Sequence, residues 1–127
     1  MNYNELLPGN VIHQKKFGFD HQAIIYDGFY VYENSPGRGE HLSRLDEFIK
    51  QAGNSLRITT YPPLQRQIHL NRINQQLRIR RAWSVLNNCQ DTVTRITEGH
   101  ARSHQRTEMI WMALFAFVGV YALRKSA

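Results

Sequence analysis

Cys89 is the only cysteine in this 127-residue chain, so it can enter neither an intrachain disulfide nor a cysteine-rich metal site. It follows Asn87 and Asn88, both good helix N-cap residues, and the next ten positions read as a helix stopped by Gly99. A cysteine in the first helical turn lies at the positive end of the macrodipole, which favours thiolate over thiol. That arrangement prepares a sulfur nucleophile; a small buried apolar residue is the competing reading of any lone cysteine. A thiol nucleophile also needs an imidazole to take its proton and a third polar group to fix the ring. Six histidines are available, at 13, 21, 41, 69, 100 and 104. His21 stands apart because it heads an apolar, β-rich run, where a sheet can hold it against a helix terminus.

The elements that must position these two residues follow from turn signals and periodicity. Leu7-Pro8-Gly9-Asn10 is a turn leading into a short strand, Val11-Ile12-His13. Lys15 to Asp20 reads as a loop. His21 to Tyr26 is a strand that stops at Asp27-Gly28, a hairpin turn pair, and Phe29 to Glu33 is its return. Asn34 to Gly39 continues neither strand nor helix. Leu42 to Ala52 reads as a helix with Ser43 as N-cap, Leu45, Phe48 and Ile49 on one face, and Gly53 as stop. Leu56 to Tyr61 alternates as a strand and is closed by Pro62-Pro63. From Leu64 to Arg81 a helix carries Leu70, Ile73 and Leu77 along one side, with arginine and glutamine on the others.

The length has room for one domain and little besides. The net charge of +6 comes mainly from arginines between positions 57 and 106, a balance compatible with nucleic acid or an anionic surface. The basic helix has no interleaved aromatics, so nucleic acid is not the expected partner. Met1 to Glu5 lacks a basic region followed by an apolar one, so no signal peptide is expected. Met109 to Leu123 is fifteen residues without a charge. As a helix it spans about 22 Å, against a hydrocarbon core of about 30 Å. Arg124 and Lys125 can snorkel to make up the difference, and the insertion energy comes to about −3 kcal/mol. The expectation is a single C-terminal transmembrane helix, residues 107–127, anchoring a catalytic domain, residues 1–106, on the cytoplasmic side of a membrane.

Three segments together resemble the lecithin:retinol acyltransferase (LRAT) family, permuted relatives of the NlpC-type papain-like peptidases. Leu7-Pro8-Gly9-Asn10-Val11-Ile12 is similar to the family's opening. His21 through Val31 resembles its histidine followed by a hairpin. Asn88-Cys89, with Gly99 ten positions on and then Ala101-Arg102-Ser103 and Gln105, resembles its asparagine–cysteine segment. They cover most of residues 6–105, and histidine precedes cysteine as in the permuted group. The resemblance implies an α+β fold, a small antiparallel sheet packed on helices, with Cys89 acylated by substrate and His21 as its base. The family's third residue, usually a second histidine, stands twelve positions after the first. Here that is Glu33, a carboxylate able to accept the imidazole N–H, with Tyr32 or Asn34 as neighbouring options. The chain departs from the family at Gln22, where tryptophan is frequent, and at Asp91-Thr92, where His-Phe is common. Those departures spare the chemistry but leave the substrate class open, and the short interval between His21 and Cys89 implies reduced substrate-covering loops. Backbone N–H groups opening the Cys89 helix are the expected oxyanion donors. The implied function is a cysteine-dependent acyl hydrolase or acyltransferase working through an acyl-thioester on phospholipid or other acyl esters, with no cofactor and no metal. Its rivals are an amide-cleaving cysteine peptidase or amidase, and an inactive membrane-tethered module that binds a partner or remodels lipid.

Overall fold

The computed structural model describes residues 2–16, 18–101 and 103–126, and the side chains of these apart from 104–109 and 126. The chain runs β1 (Val11–Lys16), β2 (Phe19–Ile25), β3 (Tyr30–Ser35), β4 (Gly39–Arg44), α1 (Leu45–Ala52), β5 (Arg57–Thr59), α2 (Pro63–Gln76), α3 (Cys89–Glu98) and α4 (His104–Ser126). The strands form one antiparallel sheet in the order β4-β3-β2-β1-β5. It is an α+β fold. Side chains alternate across a strand, so each strand supplies both faces of the sheet. Ile12, Ala23, Ile25 and Val31 pack on Leu45 and Phe48 of α1. Val11, Ile24 and Tyr32 pack on Ile73 of α2 and on Val93 and Ile96 of α3. Burying one such side chain contributes about 1.5–3 kcal/mol, so two layers of this kind hold the sheet between helices.

Several expected boundaries move. Lys15 and Lys16 belong to β1 and Phe19 and Asp20 to β2, with Lys16 opposite Phe19, so the expected loop is a tight hairpin. Asn34 and Ser35 continue β3, and β4 was not anticipated at all. Its sequence, Gly-Glu-His-Leu-Ser-Arg, has no apolar alternation, because Glu40 and His41 are buried against polar partners instead of core. The helix expected from Leu42 starts at Leu45. Arg44 takes its N-cap position with no side-chain bond, and Ser43 faces Glu33. The basic helix ends at Gln76 rather than Arg81.

The C-terminal expectation is overturned. α4 is a 23-residue helix, yet among the described residues no helix is long and apolar enough to cross a membrane. The physical reason is length: the charge-free stretch falls short of the hydrocarbon thickness, and extending it brings in the charged residues at both ends. The expected single-pass C-terminal anchor, and with it a domain tethered on one side of a membrane, is not what the described residues form. Apolar side chains of α4 from Ile110 to Leu123 are exposed, and neither core cluster draws on them.

Candidate active site

The site is opened by a split in the sheet. β2 and β3 pair only from Ile25↔Val31 to Ala23↔Glu33. Beyond that point β2 stays with β1 as far as Phe19, and β3 stays with β4 as far as Ser35, so the two arms part. The first turn of α3 sits at this opening and is held from both lips. On the β3 side, Asn34 Nδ2 donates to the Asn87 carbonyl at 2.7 Å and to Thr92 Oγ1 at 3.1 Å. On the β2 side, the Asp20 carbonyl accepts from Gln90 Nε2 at 3.4 Å and lies 3.9 Å from Cys89 Sγ.

Cys89 is the first residue of α3, as its asparagines predict. Asn88 Oδ1 accepts from the backbone N–H of Gln90 at 3.0 Å and of Asp91 at 3.1 Å, while Asp91 Oδ2 accepts from the Asn88 N–H at 3.2 Å. This capping box satisfies donors that a buried helix start would otherwise leave bare. At the other end Gly99 takes the left-handed conformation, φ 85°, that closes the helix. Asp91 and Thr92, the two departures from the family pattern, both have structural work. Asp91 completes the box, and Thr92 Oγ1 donates to the buried Glu40 at 2.9 Å. Glu40 is also paired with Arg95 at 2.9 Å and accepts from the Arg81 N–H, which ties β4 to α3. The box has a chemical consequence. The N–H groups of Gln90 and Asp91 are committed to Asn88, so these two of the backbone donors at the helix start are already occupied.

His21 is buried, with its ring stacked on Phe48 of α1 at 5.8 Å and 26°. Nε2 lies 3.7 Å from Glu33 Oε1, an ion-pair contact too long for a hydrogen bond. Burial alone would lower the imidazole's pKa, but side-chain contact with Cys89 and then with Glu33 outweighs it and raises the value to about 9. At neutral pH the ring is therefore an imidazolium. Burial works to raise the Glu33 pKa; His21, Ser43 and His41 oppose it and hold the carboxyl below its ordinary value. Ser43 Oγ donates to Oε2 at 2.7 Å, and His41 Nε2 stands 3.8 Å from Oε1.

The structure thus brings together Cys89, His21 and Glu33. Tyr32 and Asn34, the alternatives for the third place, lie on the other face of β3. Tyr32 belongs to the core with its phenol pushed above its usual range by burial and then by Glu40, and Asn34 tethers α3. His13 pairs with Asp20 at 3.2 Å and meets Thr59 at 2.9 Å. His69 Nδ1 donates to the Gly9 carbonyl at 2.8 Å, and His100 faces Glu98 on the surface. The side chain of His104 lies outside the described residues, as do Arg102 and the side chain of Gln105 from the third family-like segment. His41 and Ser43 were missed because β4 was missed. Among the described residues no group of three His, Cys, Asp or Glu is placed to hold a metal ion. No protein-family model matches the chain, and no curated protein matches it.

Proposed function

We propose that this chain is a cysteine-dependent acyl hydrolase or acyltransferase of the LRAT-like kind, working through an acyl-thioester on Cys89. The observation that carries the reading is the buried juxtaposition of Cys89, His21 and Glu33. A thiol at a capped helix start meets an imidazole that stays protonated to about pH 9, and that imidazole is backed by an ionised carboxylate. In the first half-reaction the Cys89 thiolate attacks the ester carbonyl carbon, and the C=O electron pair moves to oxygen. Collapse of this oxyanion expels the alcohol oxygen, which takes its proton from the His21 imidazolium. The products are acyl-Cys89, neutral His21 and the free alcohol. In the second, neutral His21 takes a proton from water, or from an acceptor hydroxyl or amine. The new nucleophile attacks the thioester, and Cys89 leaves as thiolate beside a restored imidazolium. Glu33 keeps its proton off throughout and favours the charged ring.

The ester class that accords with the family-like motifs is phospholipid. A cavity of about 200 Å3 bordering Glu33 and His41 has Lys16, Arg38, Arg44 and the acidic Glu47 in its wall. The test is to incubate the purified protein with mixed phospholipids and look for a hydroxylamine-sensitive acyl adduct on Cys89 by mass spectrometry. Cys89→Ser abolishes turnover with the fold intact, because a serine hydroxyl is far harder to ionise, and His21→Ala slows it on the order of 10²-fold or more. Unchanged turnover in Cys89→Ser would remove the thiol mechanism.

A further inference from the structure

Two first-turn amides, those of Gln90 and Asp91, are bound to the cap, and a chain of hydrogen bonds through α3 presents a further donor. Asn88 has a fixed orientation, because its Oδ1 accepts two helix N–H groups. Its Nδ2 must therefore face the other way, and it donates to Ser103 Oγ at 2.9 Å. Ser103, having accepted there, donates its hydroxyl hydrogen to Gln90 Oε1 at 3.2 Å. That sets the amide of Gln90: the oxygen faces Ser103 and the NH2 group faces the Asp20 carbonyl at 3.4 Å. The same Asp20 oxygen lies 3.9 Å from Cys89 Sγ, so the amide donor and the nucleophilic sulfur flank one acceptor. Asn88, Gln90 and Ser103 are buried and Asp20 is half-buried.

We infer that the side-chain amide of Gln90 is the oxyanion donor of this site, held in that orientation by Ser103 and the Asn88 cap. The inference rests on Cys89 being the acylated nucleophile. As Sγ bonds to the ester carbon, the substrate oxygen gains a full negative charge and becomes a far better acceptor than a peptide carbonyl. The bond from Nε2 to Asp20 is long, so the donor transfers to the oxyanion with little loss, and beside the buried Cys89 and His21 a prearranged dipole acts more strongly than in water. The Oε1 end keeps its bond to Ser103 throughout, so the amide needs no reorganisation at the moment of reaction.

The experiment compares acylation with alkylation, because iodoacetamide uses the same sulfur and forms no oxyanion. Single-turnover acylation by p-nitrophenyl butyrate and alkylation by iodoacetamide are measured for wild type, Gln90→Met, Gln90→Glu and Ser103→Ala, with thermal melts as a check on folding. Gln90→Met removes the donor at similar size. Gln90→Glu keeps the oxygen that Ser103 holds but puts carboxylate where the donor was. Both are expected to slow acylation on the order of 10²–10³-fold, and in Gln90→Met, which brings no charge near the sulfur, alkylation keeps its wild-type rate. Ser103→Ala gives a smaller loss of the same pattern. Wild-type acylation in Gln90→Met overturns the inference, and so does alkylation that falls in step with acylation, which would make Gln90 a packing residue. Failure of the underlying reading looks different: wild-type Cys89 is alkylated but never acylated, or Cys89→Ser turns over normally.

Discussion

Glu33 stands between two imidazoles, 3.7 Å from His21 and 3.8 Å from His41, with its second oxygen held by Ser43. A carboxylate so placed adds to the effect of Cys89 in keeping the proton on His21, and that proton is the one the leaving alcohol takes. Glu33→Gln removes the charge and leaves the shape. The alkaline limb of kcat/KM, set near pH 9 by the imidazolium, then moves to lower pH and the rate falls. An alkaline limb unmoved in that variant would show that Glu33 does not act on the ring. Stability follows the same ionisations. The His21 pKa is raised, from about 6.5 in an unfolded chain, so its contribution is complete below that pH and is lost as pH climbs through about 9. Glu33 is lowered, so its contribution is present above the ordinary glutamate pKa of about 4.3 and is lost as pH falls through its lower folded value. The difference in urea midpoint between wild type and Glu33→Gln is therefore largest near pH 6 and shrinks by pH 9.5. Equal differences at both pH values would contradict the coupling.

At the scale of the element, α3 matters more for where it begins than for what it covers. Its start is fixed by Asn88, and Asn88→Ala is expected to cost about 0.5–2 kcal/mol through the lost cap. The same change frees Ser103 and moves the thiol, so alkylation of Cys89 slows as well, which a cap remote from the site would not produce. Glu40 is a harsher case. Its side chain is fully buried and bound to Arg95, Thr92 and the Arg81 N–H. Glu40→Leu leaves the Arg95 guanidinium with Asn87 but without its carboxylate, and is expected to destabilise by about 3–5 kcal/mol in a thermal or urea melt. This helix was readable in advance because its signals are local: Asn88 before it, Gly99 after it, a turn's worth of spacing between apolar positions. β4 was not, because its buried residues are Glu40 and His41, and only partners far along the chain make those burials favourable. Ser43 shows the same limit. By local rules it is an N-cap, yet its hydroxyl serves Glu33 on the neighbouring strand. His21 and Cys89 could be named from type and position, whereas Gln90 and the Asp20 carbonyl carry no mark in sequence, and Ser103, though part of a family-like segment, is joined to them only by the fold.

The whole molecule divides into a packed unit and a helix outside it. Both core layers are complete by Ile96, and Ser103, which orients Gln90, precedes the first residue of α4. The apolar residues of α4 are exposed and contribute to neither layer, so the sheet and its helices owe little of their stability to them. Ending the chain after Ser103 is therefore expected to leave the melting temperature within a few degrees of the full chain, where a change of 1 kcal/mol amounts to about 4–8 °C for a domain of this size. Alkylation of Cys89 and acylation by p-nitrophenyl butyrate persist at their full-length rates, since Asn88, Ser103, Gln90, His21 and Glu33 all remain. The truncated chain also loses an exposed stretch far more apolar than a folded surface normally carries, so its tendency to associate falls in sedimentation at matched concentration. A drop in melting temperature of more than about 10 °C, or a thiol that alkylates several-fold more slowly, would place α4 inside the cooperative unit and make it a support of the site.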